Sequence, residues 1–261
     1  MIFLRPLLLI FGFALVLFLP VAAPQAQEEA YNPDNAICGV DNRGCVLKNL
    51  RRYAKEIERD SWRDQTFREL AKSFAGDGYI DTAISIIGDI NTPDTKAMTI
   101  RGIGMEMAAL GFSKDRLDQE FAKLRAEAEK IEHPPSYAIA LTYIAMAQAF
   151  AGDNEGAWET AASMENDALR HKAYAETAEI QAEKSDFEAA MKSIAFIDSE
   201  AFRNKALSLT SKIFADQQLF DESYKAALQI SNAYKKAQAI QHMLDTQKNA
   251  LKEGQQEGTA P

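Results

Sequence analysis

From residue 46 to residue 252 apolar residues return at every third and fourth position, the spacing that places them on one face of an α-helix. No stretch alternates apolar and polar residues persistently enough to predict a strand, and glycine and proline fall mostly at short junctions. The pattern also repeats. Ala168-Leu169-Arg170 and Ala201-Phe202-Arg203 each open a helical stretch, and the step from one to the next equals the step from Ser61 to Asp94. Ile80, Phe187 and Phe220 each start a further stretch that ends ten residues on, at Ile90, Ile197 and Ile230. The unit is therefore two antiparallel helices. Copies fall at 61–93, 94–134, 135–167, 168–200 and 201–232, with a preceding helix at about 46–58 and a final helix at about 233–252. The second copy is eight residues longer, with the excess somewhere in 111–124. Helix-capping residue types stand at the junctions: Asp60/Ser61, Thr92/Asp94, Ser136, Asn166/Asp167, Asp198/Ser199 and Ser231/Asn232. One such pair cannot bury its own apolar stripe, whereas five stacked pairs can, so the expected fold is all-α with flanking capping helices.

The stretch Ala151-Gly152-Asp153-Asn154-Glu155-Gly156-Ala157 resembles the turn between the two helices of a tetratricopeptide repeat. Aligning the copies on it puts Ala71, Gly104, Ala145, Ala178 and Ser211 in the small slot of the first helix, and Phe67, Ile100, Leu141, Tyr174 and Leu207 in its large apolar slot. Ala83, Ala190 and Ser223 match Ala157 in the second helix. A side chain no larger than a methyl group at a crossing point lets two helices approach to about 8–9 Å. The likeness covers about 170 residues. It departs from the family in its period of 33 rather than about 34. Leu169 and Phe202 stand where closing prolines are expected, and Gln148 and Gln181 occupy a usually aromatic slot. The resemblance implies a right-handed α-α superhelix of degenerate repeats; another helical-pair solenoid is the second reading.

The flanks speak about destination. Arg5 followed by the 13-residue apolar run Leu7–Leu19, Pro20 and small residues through Gln27 reads as a signal peptide of residues 1–27, with an uncleaved membrane anchor as the alternative. Residues 28–46 read as a polar leader, 47–252 as the repeat domain and 253–261 as a frayed tail. In an exported chain Cys38 and Cys45, the two cysteines, are expected to form a disulfide across the turn-rich segment between them; a redox-active dithiol would favour tighter C-x-x-C spacing. The expected location is periplasmic or secreted.

Composition is ordinary for a globular chain, 47% hydrophobic and 26% charged, but the formal charge of −9 argues against nucleic acid as a partner. Loss of Arg5 with the signal makes it −10. No G-x-S-x-G, S-x-x-K or H-E-x-x-H motif occurs, and His133, His171 and His242 lie in different repeats, although His242 and Asp245 share a helix face. Gly76-Asp77-Gly78-Tyr79-Ile80-Asp81 lacks the flanking ligands of a calcium loop, and Gly102-Ile103-Gly104 lies within a helix rather than after a strand. Glu127, Glu129 and Glu132 read as a solvated face. No cofactor, metal or catalytic residue is expected.

Tetratricopeptide repeats bind extended segments along their first helices, and that resemblance transfers three groove-facing columns to this chain. They comprise Gln65, Arg68 and Lys72; Met98, Arg101 and Met105; Ile139, Thr142 and Met146; Lys172, Ala175 and Glu179; and Lys205, Ser208 and Lys212. Six are basic and one acidic, against the sign of the whole chain; adding Glu69, Glu176, Glu183 and Asp216 from adjacent columns reduces the excess to +1. The expectation is a non-enzymatic scaffold for another envelope or secreted protein. An acidic peptide or terminal carboxylate would meet Arg68, Lys72, Arg101, Lys172, Lys205 and Lys212 over a floor of Met98, Met105, Ile139 and Met146. An enzyme or small-molecule carrier using the inner cavity, and a module that pairs with its own copies, are the alternatives.

Overall fold

The computed structural model describes residues 38–257, with side chains to residue 252. All described residues belong to one compact unit. The expected signal peptide, residues 28–37 of the leader and residues 258–261 of the tail lie outside the described residues.

The described chain is all-α, with twelve α-helices and no strand. In order they are α1 Arg43–Lys55, α2 Asp60–Gly76, α3 Ile80–Ile86 with a 3-10 turn at Ile87–Asp89, α4 Pro93–Ala109, α5 Lys114–Ala128 and α6 Pro134–Ala151. They continue as α7 Asn154–Ala162, α8 Asp167–Glu183, α9 Phe187–Ala195, α10 Glu200–Asp216, α11 Phe220–Leu228 and α12 Ala233–Glu257. Two expected boundaries move. The leader is helical from Arg43, because Asn42 accepts a hydrogen bond from the Cys45 amide at 3.1 Å and caps α1. The tail is helical through Glu257.

The even-numbered helices pack each against the next, α2 on α4 through α10 on α12, and each of α3, α5, α7, α9 and α11 packs on the long helix before it. Small residues sit at these crossings. Ala71, Ala145, Ala178 and Ser211 are fully buried, as are Ala83, Ala157, Ala190 and Ser223. In the last copy the two slots touch, with the Ser211 hydroxyl donating to the Ser223 carbonyl at 2.9 Å. At Gly104 even a methyl group would be too much, since it would stand 2.9 Å from the Ala147 methyl on α6.

Turn chemistry differs from the expected caps. Of the residues at the starts of the long helices, Asn166 and Asn232 accept from the amides three positions on. The start of α4 is held from a distance: buried Asp64 of α2 accepts from the Asn91 and Thr92 amides at 3.2 and 2.8 Å. Asn204 of α10 takes the Ser231 amide in the same way, at 2.9 Å. Asp153 and Asp186 cap the short helices α7 and α9.

Cys38 and Cys45 are joined in a disulfide, with Cα atoms 5.7 Å apart, and the Asn49 amide donates to the Cys38 Sγ at 2.9 Å. Closing so short a loop stabilises the end of the chain by about 2.5 kcal/mol in the chain-entropy account. Among the described residues no helix is long and apolar enough to cross a membrane.

Candidate functional site

The residues expected to line a groove all lie on the long helices: Arg68 and Lys72 on α2, Met98, Arg101 and Met105 on α4, Ile139 and Met146 on α6, Lys172 on α8, and Lys205 and Lys212 on α10. Arg68, Lys72, Met98, Arg101 and Met105 come together around one cavity of about 400 Å³. Gly102 also lines it, and a Cβ there would make ordinary van der Waals contact with the Lys72 stem, 3.6 Å away. The remaining five lie outside that cavity, farther along the succession of long helices.

Three of the six cations of this face already have carboxylate partners. Arg68 donates twice to Glu69, at 2.9 and 2.7 Å, and Lys72 stands 3.6 Å from Glu106, with both carboxylates also lining the cavity. Lys172 is paired with Glu176 at 3.4 Å. Arg101 has a ring for a neighbour, its guanidinium 5.5 Å from the Tyr143 centroid. Among the described residues Lys205 and Lys212 have no carboxylate within ion-pairing distance, and both are exposed. Glu179 is held above the ordinary carboxylate range, first by burial and then by Glu176 and Glu183; Lys205 opposes the shift.

The apolar floor is more coherent than the charge. Met98, Met105, Ile139 and Met146 are half-buried, and Tyr143 joins them by donating its hydroxyl to the Met98 sulfur at 3.4 Å. Tyr143, which the column alignment passes over, takes the place assigned to Thr142. Thr142 is buried with its hydroxyl turned onto the Ala138 carbonyl at 3.0 Å. Spacing alone does not separate the two, since Thr142 at i+3 and Tyr143 at i+4 from Ile139 both share a helix face with Ile139 and Met146.

Other chemistry-bearing residues are occupied structurally. His242 pairs with Asp216 of α10 at 2.9 Å rather than with Asp245. Asp77, in the glycine-rich turn, holds Arg43 at 2.6 Å. Ser136 links the starts of α4 and α6, donating to Asp94 and standing 2.6 Å from the His133 Nδ1. Among the described residues no three His, Cys, Asp or Glu side chains are arranged to hold a metal ion. A second cavity of about 290 Å³ lies between α6 and α8, where Tyr137, Leu141, Met164 and Leu169 face Pro134 and Pro135.

Sequence inspection also missed a set of buried polar joints. Gln148 and Gln181 accept from the hydroxyls of Thr160 and Ser193, each at 2.6 Å. Those hydroxyls in turn accept from the preceding short helix, Thr160 from Arg125 and Ser193 from Trp158 at 2.7 Å. Arg125 and Trp158 are one ordinary repeat apart, so the extra residues of the second copy lie before Arg125.

No family model matches the chain, and no curated protein matches it. One solved structure is similar in part, the crystal structure of Ton1535 from Thermococcus onnurineus NA1. It aligns with 79% of this chain and 86% of that one, at 12% identity and a TM-score of 0.24, and so carries no argument about fold or function.

Proposed function

We propose that the protein is a tetratricopeptide-like solenoid, a right-handed superhelix of five helix pairs, that works as a non-enzymatic binding scaffold. In this reading the face made by α2, α4, α6, α8 and α10 receives an extended segment of another envelope or secreted protein. The observation that carries it is the half-buried floor of Met98, Met105, Tyr143 and Met146, adaptable apolar side chains left open in the middle of that face. The Cys38–Cys45 disulfide supports an oxidising compartment. Because Arg68, Lys72 and Lys172 already have carboxylate partners, the ligand is an apolar segment first. Its acidic groups are read by Arg101, Lys205 and Lys212, and recognition is less salt-sensitive than six free cations would make it.

The test is photo-crosslinking inside the producing cell from a reactive residue at Met105 or Met146, compared with one at the exposed Glu159 of α7. One defined polypeptide trapped from both floor positions and not from Glu159 is expected. Equal trapping from all three, or none from the floor, ends the groove reading.

A further inference from the structure

The large hydrophobic side chains left exposed are not scattered. Of the eleven among the described residues, five lie between residues 40 and 62 and five between 224 and 251, and only Phe196 lies between those groups. Both ends of the succession of helices therefore carry exposed large apolar side chains, whereas those of the candidate groove are half-buried. Terminal units that face water ordinarily present a polar surface.

Among the described residues the first and last helices hold complementary positions in the repeat. Helix α1 occupies the position of a short second helix: it packs on α2, and Arg51 donates to Asp89 and Ser85 of the next pair. No long helix precedes it among the described residues. Helix α12 occupies the position of a long first helix, packed on α10 and α11, with no short helix after it among the described residues. Leu50 stands ten residues before the start of α2, as Ala83, Ala157, Ala190 and Ser223 do before the helices that follow them. Leu244 stands one repeat after Ser211, in the small slot of the first helix. These two leucines replace buried small residues, and they are 41% and 47% exposed.

We infer that the second copy of this chain is the partner of both ends, α12 of one copy pairing with α1 of the next to complete a sixth helix pair. The inference rests on the repeat reading above. Leu244 meets Leu50 at the crossing, at the wider helix separation that two leucines impose. Trp62, 59% exposed, has its counterpart in Leu169, which faces Ala138 and Leu141 of the preceding long helix across the 290 Å³ cavity. The matching positions on α12 are Ala237 and Ile240, three repeats on. A cavity of about 400 Å³ bounded by Leu50, Trp62 and Leu70 is the seat for that helix. Charge disfavours one of the alternatives, the joining of two amino-terminal ends. Residues 38–63 carry seven cations and four acids, and residues 220–257 carry five of each, so joining two amino-terminal ends would oppose like charges whereas joining unlike ends would not. Such a contact is heterologous and propagates into chains or a closed ring.

Sedimentation of protein expressed from the full-length chain tests this. Wild type is expected to grow in average mass with concentration, and Leu244→Glu and Trp62→Glu each to sediment as a single chain with unchanged helicity. Mixed one to one, the two variants each retain one intact end, and a species of two chains and no larger is expected. Leu50→Glu and Ala237→Glu repeat the two blocks from the opposite sides of the contact, so a variant that misfolds does not leave the question open. Wild type of one-chain mass at every concentration overturns the inference. So does self-association of Leu244→Glu or Trp62→Glu alone, which would mean like ends joining. Crosslinking from Met105 in the single-chain variants separates this outcome from the groove reading, because the groove is untouched by the end substitutions.

Discussion

The fourth and fifth helix pairs solve one packing problem with opposite chemistry. In the α8–α9 pair Gln181 is buried at the inner joint and accepts from Ser193, and its own amide donates to Asn154 at 2.8 Å. One repeat on, in the α10–α11 pair, the same two positions hold Phe214 and Ala226, both fully buried, with Phe214 against the Phe187 ring at 5.6 Å. The first pair resembles the fifth, with Phe74 and Ile86 in those positions, and the third resembles the fourth, with Gln148 and Thr160. Where one of the two positions holds a large aromatic side chain the other is a buried apolar residue, and where it holds an amide the other holds the hydroxyl it bonds. The slot does not demand hydrophobicity. It demands that whatever is buried finds its own kind across the joint, since an unpaired polar group costs about 1–3 kcal/mol whereas a matched pair is close to neutral.

Crossing the two solutions should cost most. Phe214→Gln removes a buried ring and sets an amide against Ala226, which has no hydroxyl to meet it. We expect a loss of at least about 4 kcal/mol in urea unfolding followed by circular dichroism. Gln181→Leu keeps the volume but strands the Ser193 hydroxyl, and a loss of about 1–3 kcal/mol is expected. Gln181→Phe with Ser193→Ala imports the fifth pair's solution into the fourth, and it should be more stable than Gln181→Phe alone; half-exposed Trp158, which loses its acceptor, can turn to water. If the double variant is no better than the single, the amide and hydroxyl are not acting as a pair and the comparison fails.

The spacing of apolar residues was enough to read the helices themselves. The five long helices expected to open at 61, 94, 135, 168 and 201 begin at residues 60, 93, 134, 167 and 200, and the small residues assigned to the crossings are buried. Partners across the joint were not legible, because Gln181 and Ser193 are each ordinary alone. Only their separation in sequence, the same as that of Gln148 and Thr160, links them. Asp64 was invisible for a related reason: its work is done 27 residues away, at the Asn91 amide. In the candidate groove, column alignment found the cations but not what holds them. Glu69 is the immediate neighbour of Arg68, yet Glu106 reaches Lys72 only once α2 and α4 are packed.

Glu179, two residues before Gln181, supplies the smallest and most discriminating test, since it is a partly buried acid held among other acids rather than a polar group with a matched partner. Burial, Glu176 and Glu183 raise its pKa in the folded protein above the ordinary value of 4.5, with Lys205 offsetting part of the shift. The folded state therefore binds this proton more tightly than the unfolded chain does. The associated stability is fully present below pH 4.5 and is lost as pH rises through the folded pKa. Glu179→Gln should consequently raise stability at neutral pH, by less than about 1 kcal/mol once screening by solvent is counted, and the gain should vanish below the unfolded pKa. Gln181→Leu should show the opposite sign and no such pH dependence, because it breaks a neutral pair. Equal pH profiles for the two would mean that α8 distinguishes neither burial from pairing nor one of its faces from the other.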